Sequence, residues 1–153
     1  MALVKSVLKN EIRKITDQKY DGFEGFPETV EETAERWANA IDVYASSIIP
    51  AVISSTAAKE AAQSQFLSLN LNGLVAFPLG FTQYAIQLGL AMQPTYTSVP
   101  PPIPIVLAPV FSLGLSGASS EDCASLMATI ADKWFKTGLA TLNSPPNTVI
   151  PWS

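Results

Sequence analysis

PETVEETAERWANAIDVYASSIIP, residues 27–50, is the segment on which the fold turns. Val30, Ala34, Trp37, Ile41, Tyr44 and Ile48 recur at alternating spacings of four and three. That spacing is the seam of a helix packed lengthwise against other helices. Glu28, Glu31, Glu32 and Glu35 crowd its first turns, where acidic side chains favour the helix dipole. Pro27 opens the segment and Pro50 closes it. A long amphipathic helix at the centre of an all-α domain follows.

The flanks extend the helical pattern. Residues 3–16 predict a first helix, with Lys5, Lys9 and Arg13 on one face and Val4, Leu8, Ile12 and Ile15 on another. Asp17–Phe26, with two glycines, reads as a loop. Ser55–Leu69 predicts a third helix whose inner stripe is Ala58, Ala62, Phe66 and Leu69, ended by Asn70-Leu71-Asn72-Gly73. A fourth is expected over Pro78–Met92 through Phe81, Tyr84, Leu88 and Ala91 or Met92, with Pro78 in the first turn.

Residues 94–118 break this rhythm with six prolines, so neither a continuous helix nor a central strand is expected to run through them. Pro100-Pro101-Pro102 predicts an extended polyproline rod. The segment is nonetheless strongly apolar, which is wrong for a solvated linker. A loop of this kind is either pinned over its own domain or inserted into a neighbour, and insertion is the reading taken. A fifth helix is capped by Ser119 or Ser120, carries Glu121 and Asp122 in its first turn and stops at Gly138. Its inner stripe is Cys123, Met127, Ile130 and Trp134. The tail, 139–153, has three prolines and no charge; its Trp152 is costly to leave in water and is expected to dock.

Charge is distributed unevenly. Sixty consecutive residues, 61–120, carry none, and seventeen of the 22 charges lie at or before Glu60. The chain is 48% hydrophobic and 14% charged, against about a quarter charged in an average domain. Mixed surface charge normally keeps an isolated domain in solution. Protein neighbours, a bilayer or a ligand are therefore expected to cover much of the uncharged stretch. A net charge of −4 argues against a nucleic-acid surface, which is normally basic. The stripe Lys5, Lys9, Arg13 is read as a solvated face or as paired with the acidic start of the second helix. Leu74–Met92 has about the length of a membrane span, but its polar residues, Pro78 and unflanked ends favour a buried helix, and no membrane is expected. The N-terminal residues lack the apolar run of an export signal.

Nothing in the residues specifies a reaction. There is no histidine, which removes the usual proton-transfer group and transition-metal ligand. Cys123 is the sole cysteine, so no intramolecular disulfide or multi-cysteine metal site is expected, and its seam position reads as a small buried thiol. The acidic clusters sit in first helical turns, where dipole matching explains them. The glycines of Leu113–Ser119 lack the lysine and spacing of a phosphate loop. No catalytic, cofactor-binding or metal residues are expected.

Trp37-Ala38-Asn39-Ala40-Ile41, the Ile49-Pro50 exit, the alanine-rich helix, the proline-rich apolar stretch and Lys133-Trp134-Phe135-Lys136-Thr137-Gly138 together resemble small virion proteins of tailed bacteriophages. The likeness spans roughly residues 30–153 and lies in spacing and texture. It implies a non-enzymatic part of a tail or baseplate, assembled in the host cytoplasm, whose partners are copies of itself and other virion proteins. A capsid or neck position is the alternative within such a particle. A helical binder of a lipid or other apolar ligand, and a membrane-associated helical protein, are the alternatives outside it. The expected fold is one domain over 1–153: all-α, four or five helices in a bundle, with an ordered proline-rich loop (94–118) and an extended C-terminal tail (139–153). Subunit contacts are expected from Pro101, Ile103, Ile105, Leu107, Phe111 and Trp152.

Overall fold

A computed structural model describes residues 2–153. Among them the helices are α1 (Lys5–Thr16), α2 (Val30–Ala45), α3 (Thr56–Phe66), α4 (Leu69–Leu90), α5 (Ala108–Leu115) and α6 (Ser120–Phe135). Three short strands, β1 (Tyr96–Val99), β2 (Leu139–Leu142) and β3 (Val149–Pro151), form one antiparallel sheet in the order β1-β2-β3. The chain is thus mostly helical with a small sheet; the all-α expectation is corrected to that extent.

Local chemistry sets the helix starts. Thr29 caps α2 by accepting from the Glu32 N–H at 3.0 Å, while the Glu32 carboxylate accepts from the Glu28 N–H at 2.8 Å. The Glu28 N–H and then the Arg36 guanidinium hold the Glu32 carboxyl below its ordinary range. Ser119 caps α6 by accepting from the Asp122 N–H at 3.1 Å. These starts carry dense sequence signals.

The basic stripe is placed differently from the expectation. Lys9 (2.8 Å) and Arg13 (3.3 Å) reach Glu121 at the start of α6, and Arg13 also holds Asp17 at 2.8 Å. The acidic start of α2 is not their partner.

α4 departs further. Asn70–Gly73 lies inside the helical run as a kink centred on Asn72 (φ −158°, ψ 85°) rather than ending the third helix in a loop. Pro78 therefore falls in the second turn beyond the kink, not the first. Gly80 faces Phe66 of α3 so closely that a Cβ there would collide with the ring. α3 and α4 pack tightly because this position has no side chain.

The proline-rich stretch also contains regular structure. Its prolines border the elements: Pro94 precedes β1, Pro100 follows it, and Pro109 sits at the start of α5, where the missing N–H costs nothing. β1 lies at a sheet edge, which tolerates flanking prolines. The expected extended tail is instead the β2–β3 pair. It ends with Trp152 buried to 1% exposure, close to parallel with the Phe135 ring. The Trp152 backbone N–H donates to the Gly138 carbonyl at 2.9 Å, and Ser153 and Ile49 exchange backbone hydrogen bonds of 3.2 and 2.8 Å. The tail is thereby tied to the connection after α2.

The core gathers Leu8 and Ile12 of α1, Ile41 and Tyr44 of α2, Phe66, Phe81, Leu88, Phe135 and Trp152. Two tyrosines carry polar groups into it. The Tyr44 hydroxyl donates to Asp132 at 2.8 Å, and Lys136 reaches the other oxygen of that carboxylate at 2.9 Å. The Tyr84 hydroxyl donates to Asp42 at 2.8 Å. A buried hydroxyl left without its partner costs about 1–3 kcal/mol, so these pairs specify how α2, α4 and α6 meet.

Two expected outcomes follow from this packing. Gly138→Ala drives a Cβ into the Trp152 indole and should cost about 1–3 kcal/mol in denaturant unfolding, through strain rather than lost contacts. Burial, reinforced by Asp132 and Asp42, raises the Tyr44 and Tyr84 hydroxyls well above the ordinary value of 10.0. The native chain therefore retains protons that the unfolded chain releases. The stability from these groups is complete below about pH 10 and falls as pH rises beyond it. In an alkaline titration followed by phenolate absorbance, two of the four tyrosines should ionise only as the chain unfolds.

Candidate functional site: an uncharged apolar face and a half-open cavity

α4 is apolar on both sides. Ala76, Gly80, Phe81, Tyr84, Ala85 and Leu88 turn inward and are buried. Outward, Leu71 (82% exposed), Leu74 (60%), Val75, Leu79 and Leu90 stand in solvent, with Pro78, Thr82 and Ile86 half-buried along the same side. Surface helices ordinarily present a polar outer face; an all-round apolar helix is normally covered on every side. The accessible surface of the chain, 7930 Å², is near the ~7,500 Å² of a compact monomer of its mass. The exposed leucines thus belong to a finished surface, not to a poorly closed core.

Toward its C-terminal half this face becomes one wall of a groove of about 350 Å³. Thr82, Ala85 and Ile86 form that wall, and Val99 and the prolines 100–102 and 104 form the other, with Trp134 also lining it. The Trp134 indole N–H donates to the Ile103 carbonyl at 2.5 Å and pins the proline run. Ile103 is thereby held outward, 69% exposed.

A second concavity of about 300 Å³ opens beneath α5. Its lining is apolar: Ile12, Trp37, Phe77, Leu107, Phe111 and Met127, with Cys123 from α6. α5 has no buried residue of its own; it lies over the cavity with Val110 and Phe111 half-buried and Leu115 91% exposed.

The six residues expected to make subunit contacts divide. Pro101, Ile105, Leu107 and Trp152 are buried within their own chain, so as contact residues they are corrected: their side chains build this core. Ile103 is exposed, and Phe111 is half-buried against the cavity. Segment 94–118 is accordingly pinned to its own domain along one side and open along the other. Leu71, Leu74, Val75 and Leu79 were absent from the expected set. Leu71, Leu74 and Val75 precede the helix start expected at Pro78, and Leu79 lies off the expected inner stripe of Phe81, Tyr84 and Leu88, so packing identifies them as one exposed face.

The charged groups at the starts of α2 and α6 are engaged in caps and ion pairs. Glu121 is bound by Lys9 and Arg13, and Asp122 accepts from the Ser119 hydroxyl at 2.6 Å. The Arg13 guanidinium holds the Asp17 carboxyl below its ordinary range. These carboxylates serve helix starts and ion pairs. Among the described residues, no group of three or more His, Cys, Asp or Glu stands in metal-binding range, and no helix is long and apolar enough to cross a membrane. Comparison with protein families, curated proteins and solved structures found no match.

Proposed function

We propose that this chain is a non-enzymatic structural subunit of a multi-subunit particle, joined to its neighbours through the outer face of α4 and the adjoining proline groove. The observation that carries this reading is the uncharged leucine face of α4, which a partner surface would cover as a domain core covers its own helices. Permanent interfaces have this apolar composition. The texture shared with small virion proteins of tailed bacteriophages makes the virion the particle proposed, with tail or baseplate preferred over capsid or neck. Rings of repeated subunits in a tail supply many like neighbours for such a face. Partners are copies of this chain and other virion proteins.

The test is self-association. In sedimentation experiments across a wide concentration range, the wild-type chain should form oligomers. The double substitution Leu74→Asp/Leu79→Asp should leave the helical circular-dichroism signal nearly unchanged and cost about 1–2 kcal/mol of stability, because both positions are exposed but Leu79 keeps part of its surface covered and Asp is a poorer helix former than Leu. The variant should sediment as a single subunit. A variant that associates like the wild type would show that the face is not an interface.

A further inference from the structure

Beyond the kink at Asn72, Val75, Leu79, Thr82 and Ile86 line one outward stripe of α4 at spacings of four, three and four. That series reads the same in both directions. Two antiparallel copies of the helix can therefore be laid together with Val75 against Ile86 and Leu79 against Thr82, twice over. Relief along the stripe changes in step. Its N-terminal half stands out, with Leu74 60% and Val75 49% exposed, whereas Thr82 and Ile86 are half-buried and form one wall of the proline groove. The flanks agree as well. At 3.6 residues per turn, Leu74 and Pro78 fall on the same side of the stripe as Ala85 of the groove wall, and Gln83 and Gln87 fall on the other. A two-fold axis across the helices keeps each flank on its own side. Leu74 of one copy thus meets the groove of the other, and the glutamines stay outside it.

We propose that two copies of this chain pair antiparallel through α4, about a two-fold axis between Leu79 and Thr82, each seating Leu74 and Val75 at the proline groove of the other. This rests on the reading of the α4 face as a subunit interface and supplies its partner and geometry. Stripe and groove walls expose on the order of 800 Å² per copy, the share each partner gives to a stable interface of standard size. Neither carries a charge, so the like-charge contacts that a two-fold axis creates do not arise along them. A parallel pair would set leucine on leucine and leave both grooves unfilled. The pair is then the unit that enters a larger particle.

Single-cysteine chains test the geometry. Val75→Cys and Ile86→Cys are each made with Cys123→Ser, which leaves one thiol per chain. The two are mixed in equal amounts at a concentration where the chain associates and equilibrated in a glutathione redox buffer; a melting transition reports that each is folded. In the proposed pair position 75 of one copy faces position 86 of the other. The two copies of position 75 are offset by the residues between 75 and 86, about 16 Å along the helices. A disulfide joins Cα atoms no more than about 7 Å apart. The mixture should therefore give at least about fivefold more covalent dimer than either variant alone. As much covalent dimer from Val75→Cys alone as from the mixture would overturn the antiparallel pairing. Association of the mixture without disulfide formation would overturn it too, and would leave the subunit reading standing. A wild-type chain that stays single at every concentration would overturn both.

Discussion

α4 must satisfy two apolar faces with one protein core. Its inner face is settled by shape: Gly80 admits the Phe66 ring, and Phe81, Tyr84 and Leu88 fill the space between α2, α3 and α6. The outer face has no such partner in the chain. Fully burying a leucine is worth about 1.5–3 kcal/mol relative to leaving it exposed, and several large apolar side chains stand here together. Uncharged side chains over sixty residues also leave no local means of making the face more soluble. Covering it with a neighbour resolves both demands. Much of the rest of the structure works to present this helix in a fixed orientation.

Two devices hold that orientation. The tyrosine–aspartate pairs, Tyr44 with Asp132 and Tyr84 with Asp42, link helices distant in sequence by directional bonds within an otherwise adaptable apolar core. The C-terminal strand pair then closes the opposite end, with Trp152 filling the space that Gly138 leaves open. The proline run is fixed from within by Trp134, so Ile103 is presented outward from a rigid mount. Most charges lie on α1, α2 and the segment joining them, with further ones on α3 and α6, and the outer face of α4 itself carries none.

Legibility in the sequence followed local chemistry. α2 and α6 could be read almost to their ends because caps, first-turn acids and a three–four apolar spacing all agree there, whereas α1 has only its apolar spacing and basic last turn to mark it. α4 was read only over its second half. Asn72 and Gly73 look like a terminator, and only packing against α3 carries the helix through them. β1, β2 and β3 were missed because each is three or four residues long, and the partner of β1 lies far along the chain. Ile105 and Leu107 are buried while Val106 between them is exposed, as in extended chain lying on its own core. All three residues are apolar, so the sequence carries no polar–apolar alternation that would have removed Ile105 and Leu107 from the contact set. Most of the outer face, Leu71, Leu74 and Val75, lies in the first half, which was read as lying outside the helix.

The account rests on the leucine face being dry in the assembled state, and hydroxyl-radical footprinting reads this side chain by side chain. The chain is labelled at high dilution and at a concentration where it associates, and oxidation at Leu71, Leu74 and Leu79 is compared with that at Ile53, which is exposed outside the face. The account predicts heavy labelling of all four positions in the dilute chain and, on association, protection of the three α4 leucines but not of Ile53. Unchanged labelling of the α4 leucines, with the chain associated or with no association at any concentration, would contradict it.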